Sequence, residues 1–220
     1  MLSSDYLSRI ENLYTTYNNT IKLLIADIEA KYEKFPIELF NEIRALHDHI
    51  ARCYIPDLKP ETIKDEIAKA EGHIWRIILD CYKYLNIHLS DYVKNFEKRT
   101  KRVDLFVVDN GQFYVTYKKL HNEAIFSVRE AKKIEGIDKT KSLKKYEDAY
   151  NQYTELYDHI NSKISDINWA KRKYCVKFGL KALLWIASVI LSSLITISVG
   201  CPKLQSIISS LSNQISCACS

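Results

Sequence analysis

Turn-forming residues are scarce in this sequence. Five Gly and four Pro among 220 residues leave too few chain reversals for a β-sandwich, so a helical architecture is expected. The six cysteines are Cys53, Cys81, Cys175, Cys201, Cys217 and Cys219, and no two form a C-x-x-C pair. Neither a zinc site nor a disulfide scaffold follows from that spacing. Cys53 and Cys81 fall within apolar helical patterns and read as small core hydrophobes; no role is assigned to Cys217 and Cys219. There is no Gly-rich phosphate loop, no Ser/His/Asp arrangement and no carboxylate set with metal-ligand spacing, so no cofactor and no metal are expected. The opening MLSSDYLSRIENLY lacks an apolar signal region, and its second residue is not Gly. No secretory signal or myristoylation is therefore expected.

What the chain does contain is helical periodicity. Ser3 or Ser4 is placed to cap a first helix with Tyr6, Ile10, Leu13, Tyr17, Ile21, Leu24 and Ile28 on one face, stopped by Pro36. Pro36 then opens a second helix, PIELFNEIRALHDHIARCYI, with an apolar face of Leu39, Ile43, Leu46, Ile50 and Tyr54. Pro60 opens a third, with Ile63, Ile67, Ala70, Ile74, Ile77, Cys81 and Tyr84 inward and the basic KNFEKRTKR as a solvated end. Asp109-Asn110-Gly111 is a hairpin signal, but Phe113, Tyr117, Leu120, Ala124, Val128 and Ala131 keep helical spacing, so a loop followed by a fourth helix is expected. Asp138 can cap a last, longest helix. There Leu143, Tyr146, Tyr150, Tyr153, Tyr157, Ile160, Ile164 and Ile167 alternate steps of three and four, a coiled-coil-like seam too aromatic for a tight two-stranded zipper.

That helical frame leads into Ala182–Val199, eighteen residues without a charge. As a helix they rise about 27 Å, close to the roughly 30 Å hydrocarbon core of a bilayer. Ser188, Ser192 and Thr196 lie four apart on one face of this span. They can bond back to the helix, pack against another helix or line a pore. Lys171, Arg172, Lys173, Lys177 and Lys181 precede the span and only Lys203 follows it, which by the positive-inside rule places the N-terminal part in the cytoplasm and favours anionic lipid. Beyond Pro202, the stripe Leu204, Ile207, Ile208, Leu211 and Ile215 suggests a short amphipathic helix. The net charge of +5 points to anionic partners without choosing between lipid and RNA.

The densest polar cluster is Arg44-Ala-Leu-His47-Asp48-His49. Arg suits phosphate and His titrates near neutral pH, so Arg44 and His49 are candidates for RNA chemistry. Five residues apart on a helix they lie about 140° around the axis, so a site would need a kink or a second subunit. Arg44 and Asp48, four apart, can instead form a surface ion pair. His73, Arg76 and Asp80 make a second polar row on the third helix. Antiparallel packing would bring it to Arg44 and His49 as a buried network, structural or catalytic.

NEIRALHDHIARCY, with Arg44 and His49 in R-x4-H spacing, followed by AEGHIWRIILDCYKYL, resembles the two central helices of HEPN-type domains. Joined to a membrane segment in about two hundred residues, it is similar to the small Csx-type accessory proteins of type VI-B CRISPR–Cas systems. The resemblance covers roughly residues 36–90 by motif and the rest by architecture. It implies an accessory of an RNA-guided, RNA-targeting effector that strengthens phage defence, assembles as a homo-oligomeric ring in the bacterial inner membrane and forms a pore. It also brings an alternative, since HEPN proteins are typically metal-independent RNases whose Arg and His from two protomers make a composite site. The sequence departs from that pattern at Ala45, where active nucleases usually carry a polar residue, which counts against catalysis.

The resulting expectation is an all-α protein. Residues 1–137 form a cytoplasmic HEPN-like domain, 138–181 a stem helix with a basic juxtamembrane cluster, 182–199 a transmembrane helix and 200–220 a Ser/Cys-rich tail. Arg44, His47, His49, His73 and Arg76 are the residues expected to contact RNA or a second protomer. Ser188, Ser192 and Thr196 form the pore or packing face. A third reading is a plain membrane adaptor.

Overall fold

The structure is a computed structural model that describes residues 2–31, 36–200 and 206, with the side chains of 177 and 197–200 excepted. Among the described residues the chain is helical and has no strand. It divides into two units, one of residues 1–101 with 105–166 and a second of 102–104 with 167–220.

In the first unit, α1 (Ser4–Thr16) starts where the Ser3 hydroxyl accepts from the Tyr6 amide at 3.4 Å. It runs through a π-helical turn, Tyr17–Ile21, into α2 (Lys22–Lys31). The wider turn keeps Ile10, Leu13, Ile21, Leu24 and Ile28 buried on one continuous face. Pro36 is the N-cap of α3 (Ile37–Arg52), which buries Leu39, Leu46 and Ile50. The helix ends earlier than its apolar pattern predicts: a turn at Cys53 seals that thiol inside and leaves Tyr54 58% exposed.

Helix α4 (Pro60–Thr100) begins with Pro in its first turn and is the 41-residue backbone of the unit. Its apolar stripe continues through the basic end, where Val93, Phe96 and Thr100 are buried while the Lys98 and Arg99 side chains stay exposed. A loop of 3-10 turns (Leu105–Gly111) follows, and the hairpin signal resolves as this loop. Asp109, Asn110 and Gly111 all take positive φ (53°, 51° and 87°), and Gly111 serves as the N-cap of α5 (Gln112–Ile134). Asp138 caps α6 (Lys139–Ser162), its carboxylate accepting from the Lys141 amide at 3.0 Å.

The predicted seam on α6 is displaced. The buried line is Ser142, Tyr146, Ala149, Tyr153, Leu156 and Ile160, so Tyr146, Tyr153 and Ile160 face inward as expected, whereas Leu143 and Tyr150 are only half-buried and Tyr157 is exposed. The small residues take the close approach to α5, where the Ser142 hydroxyl donates to the Ala131 carbonyl at 3.0 Å. Tyr150 and Tyr157 move to the margin because a phenol needs a polar outlet. Tyr150 donates to Asp27 at 2.8 Å, and Tyr157 packs on Tyr92 with ring centroids 4.6 Å apart.

The expected single helix from Asp138 into the span is also interrupted. Lys163 leaves helical geometry (φ −110°, ψ 11°), its ammonium pairing with Asp109 at 3.1 Å, and α7 starts afresh at Ile164. Ile164, which the seam would have buried, is exposed.

Helix α7 (Ile164–Gly200) is long and apolar enough to cross a membrane. Its most apolar eighteen-residue window has a mean hydropathy of 2.0, and none of that window is buried. At 1.5 Å per residue its 37 residues extend about 55 Å, more than the roughly 30 Å of hydrocarbon. The N-terminal part of the helix, which carries the basic residues, is the surplus. The stripe at Leu204, Ile207, Ile208, Leu211 and Ile215, together with Lys203, Cys201, Cys217 and Cys219, lies outside the described residues.

Candidate functional site

The polar residues singled out in α3 and α4 separate into three groups. The packing of the two helices explains the division. Glu38 meets Tyr84 at 3.0 Å, Glu42 meets His73 at 2.7 Å, and His49 meets Glu66 at 2.7 Å, so the helices run antiparallel with these side chains facing across the interface. Ile50, Ile67, Ala70 and Ile74 are buried along the same interface.

The first group is the cross-helix network. The His49 and His73 rings stack with centroids 5.1 Å apart and planes 24° from parallel. Each presents Nδ1 to a carboxylate on the opposite helix, His49 to Glu66 and His73 to Glu42. At His49 the carboxylate partner calls for the proton on Nδ1 in the neutral form of the ring, because an ionised carboxylate only accepts. The arrangement has an approximate two-fold character that the sequence encodes: Glu42 precedes His49 by seven residues and Glu66 precedes His73 by seven. Two helical turns separate each pair, so an antiparallel partner with the same spacing is cross-matched at both ends.

The charges of this network are internally matched. Arg76 donates from Nε to Glu42 at 2.9 Å, and one of its terminal nitrogens lies 2.8 and 3.2 Å from the two His73 ring nitrogens. Lys69 donates to Glu66 at 2.5 Å, while Arg52 bridges Asp48 at 2.5 Å and Glu66 at 3.6 Å. Three carboxylates thus face three permanent cations around two nearly buried imidazoles. The hydrogen bond from His49, followed by that from Lys69, holds the Glu66 carboxyl at about 2, well below the ordinary 4.5. Asp80, the third member of the predicted row on α4, makes no ion pair among the described residues, and burial pushes its carboxyl up.

The second group is Arg44 alone. It is exposed and forms no ion pair among the described residues. The predicted Arg44–Asp48 pair is absent because Asp48 is taken by Arg52. Arg44 does not join His73 and Arg76 either: it points off the interface, as the 140° offset from His49 requires. Glu42 and Glu66, not Arg44, are the residues that meet His73 and His49 across the interface. The third group is His47, which sits against the rings of Tyr14 and Tyr17 at centroid distances of 5.9 and 6.0 Å, on the side of α3 that meets the first helical rod.

On α7, Lys171, Arg172, Lys173 and Lys181 are exposed, and the Lys173 ammonium lies 4.7 Å from the centre of the Trp169 ring. The Lys177 side chain is outside the described set. The described hydroxyls of the span are satisfied within the helix: Ser188 donates to the Trp185 carbonyl at 2.7 Å, Ser192 and Ser193 to that of Val189 at 2.9 and 2.8 Å, and Thr196 to that of Ser192 at 2.9 Å. In this arrangement the face can meet lipid, another helix or water without an unpaired donor. Among the described residues no group of three His, Cys, Asp or Glu side chains is placed to hold a metal ion.

No family model, curated protein or solved structure matches the chain.

Proposed function

We propose that the protein is a membrane-anchored, homo-oligomeric accessory of an RNA-targeting CRISPR antiviral system, with a cytoplasmic helical head and a pore formed by its C-terminal spans in the inner membrane. The observation that carries the anchoring is α7, apolar and wholly exposed over its span, with lysines and an arginine on its N-terminal side. The HEPN-like motif in α3 and the overall plan supply the antiviral context by resemblance. Ser188, Ser192 and Thr196, one helical turn apart, are the polar face from which copies of α7 would build a water-filled path.

The alternative, a membrane-tethered HEPN RNase, would use Arg44 as phosphate ligand and His49 as general acid and base. It has less behind it: His49 is 15% exposed and its Nδ1 is committed to Glu66, while the cations near it are already paired. Arg44 is exposed and forms no ion pair among the described residues, which suits it to touch RNA or another protomer.

Reconstitution into liposomes tests both readings. Wild-type protein is expected to pass ions or a small dye, and the triple variant Ser188→Leu, Ser192→Leu, Thr196→Leu to lose that flux while the head keeps its helical content. Unchanged flux in the triple variant overturns the pore. Cleavage of single-stranded RNA by the wild type that disappears in Arg44→Ala, a change at an unpaired surface residue, would establish the RNase in its place.

A further inference from the structure

Helix α3 carries a continuous outer face that the described head leaves open. Ile37 is 69% exposed and Phe40 59%, and Arg44, Asp48 and Ala51 are exposed as well. At about 100° per residue these five positions stay within roughly 60° of one line along the helix. They lie opposite Leu39, Leu46 and Ile50, which the same helix buries. The turn that ends the helix adds Tyr54 and Ile55, both exposed. Apolar surface at both ends of one face, with charge between, differs from the single exposed hydrophobics scattered over any protein surface.

The order of side chains along this face is complementary to its own reverse. A second α3 laid antiparallel on the first, centred at the level of Leu46, brings Arg44 level with the second copy's Asp48. Ile37 then reaches the second copy's Ile55, and Phe40 falls over its Ala51, a small residue that leaves room for the ring. Two-fold symmetry makes each contact twice. A parallel arrangement sets Arg44 against Arg44 and Asp48 against Asp48. Both charges are available: Arg44 forms no ion pair among the described residues, and Asp48 holds only Arg52, an exposed pair of little energetic weight. A nucleic acid or an anionic bilayer on this face would meet the Asp48 carboxylate, which a second copy instead uses.

We propose that the outer face of α3 is a contact between two copies of this chain, packed antiparallel with reciprocal Arg44–Asp48 ion pairs between apolar ends. One helix pair is a small interface. Anchoring both copies in one membrane raises their effective concentration, and in this the pairing rests on the anchored, homo-oligomeric reading above. It gives the heads a contact of their own, separate from any packing of the spans.

Disulfide cross-linking of the full chain in isolated membranes tests the register, in a background carrying Cys175→Ser, Cys201→Ser, Cys217→Ser and Cys219→Ser. The double variant Phe40→Cys, Ala51→Cys should form a covalent dimer on oxidation. Within one copy these positions are about 17 Å apart along the helix, too far for a disulfide. Neither single variant should cross-link, because in the antiparallel pair Phe40 lies about 18 Å along the axis from its counterpart and Ala51 about 15 Å from its own. Adding Arg44→Asp should cut the yield about fivefold or more by setting carboxylates together twice, and adding Asp48→Arg to that variant should restore it. All four substituted positions are exposed, and helical content by circular dichroism checks that the head stays folded. The pairing is overturned if the double variant gives no dimer, wherever the chain fractionates, if a single variant cross-links as well, or if the charge swap fails to restore the yield. Carbonate extraction of the same membranes reads the anchor separately: a chain that is released yet still cross-links refutes the anchored reading and upholds the pairing.

Discussion

Replacing Glu66 by Gln tests the cross-helix network at its most perturbed group. Glu66 has 8% of its side chain exposed and meets His49, Lys69 and Arg52. Its carboxyl is held at about 2 against an ordinary 4.5. At 1.36 kcal/mol per tenfold change, that depression sets an upper bound of about 3 kcal/mol on the stabilisation gained by its ionised form. Because the folded value is the lower one, the stabilisation is complete above the unfolded value near 4.5 and is lost as pH falls from there toward 2. Gln keeps the shape and one acceptor but removes the charge, so at pH 7 the variant should lose roughly 2 kcal/mol. In a head of this size that is about 4–8 °C in melting temperature. By pH 3 the gap between wild type and variant should shrink to less than half its neutral value. Asp80 works with the opposite sign, since its raised carboxyl value makes the folded state more tolerant of acid, and comparison of variant with wild type at each pH cancels it. Melting curves of both proteins at pH 7, 5 and 3 decide the matter. A gap that does not change with pH, or no loss at pH 7, would refute the assignment of the stabilisation to this ionised carboxylate.

Two further outcomes are expected. Asp138→Ala should lower the melting temperature in the same assay, through loss of the hydrogen bond that starts α6. Iodoacetamide at pH 8 should modify Cys175, which is exposed, and spare Cys81, whose thiol is sealed from solvent and pushed up to about 12 by burial; peptide mass mapping of the native protein reads both.

The helices of the head were legible because their apolar periods are long and their boundaries are marked by Ser3, Pro36, Pro60 and Asp138. What periodicity could not decide was rotation by a fraction of a turn. On α6 the positions 143, 150 and 157 and the positions 142, 149 and 156 both complete a three-and-four alternation with Tyr146, Tyr153 and Ile160. The choice fell to the smaller side chains because α5 lies close and the tyrosine hydroxyls need polar partners. Nor could it see the interruption at Lys163, where an ion pair to Asp109, distant in sequence, accompanies the break. The polar network was half legible. His49, His73 and Arg76 are residue types associated with chemistry, while Glu42 and Glu66 read in the sequence as ordinary surface acids. Their signal was the repeated spacing of Glu and His by seven residues, which acquires meaning only when two such helices are set antiparallel. Arg44 and His49 are close in sequence, and the 140° between them on the helix, already legible in their spacing, keeps Arg44 out of the network.

The central claim is that α7 crosses a lipid bilayer. Alkaline carbonate extraction of bacterial membranes carrying the full chain tests it most directly, since peripheral proteins are released and integral ones are retained. The protein should stay with the membrane pellet, and the double variant Leu184→Arg, Ile190→Arg, which sets two charges in the apolar window of α7, should move to the soluble fraction with its head still folded. Release of the wild-type protein by carbonate would contradict the account.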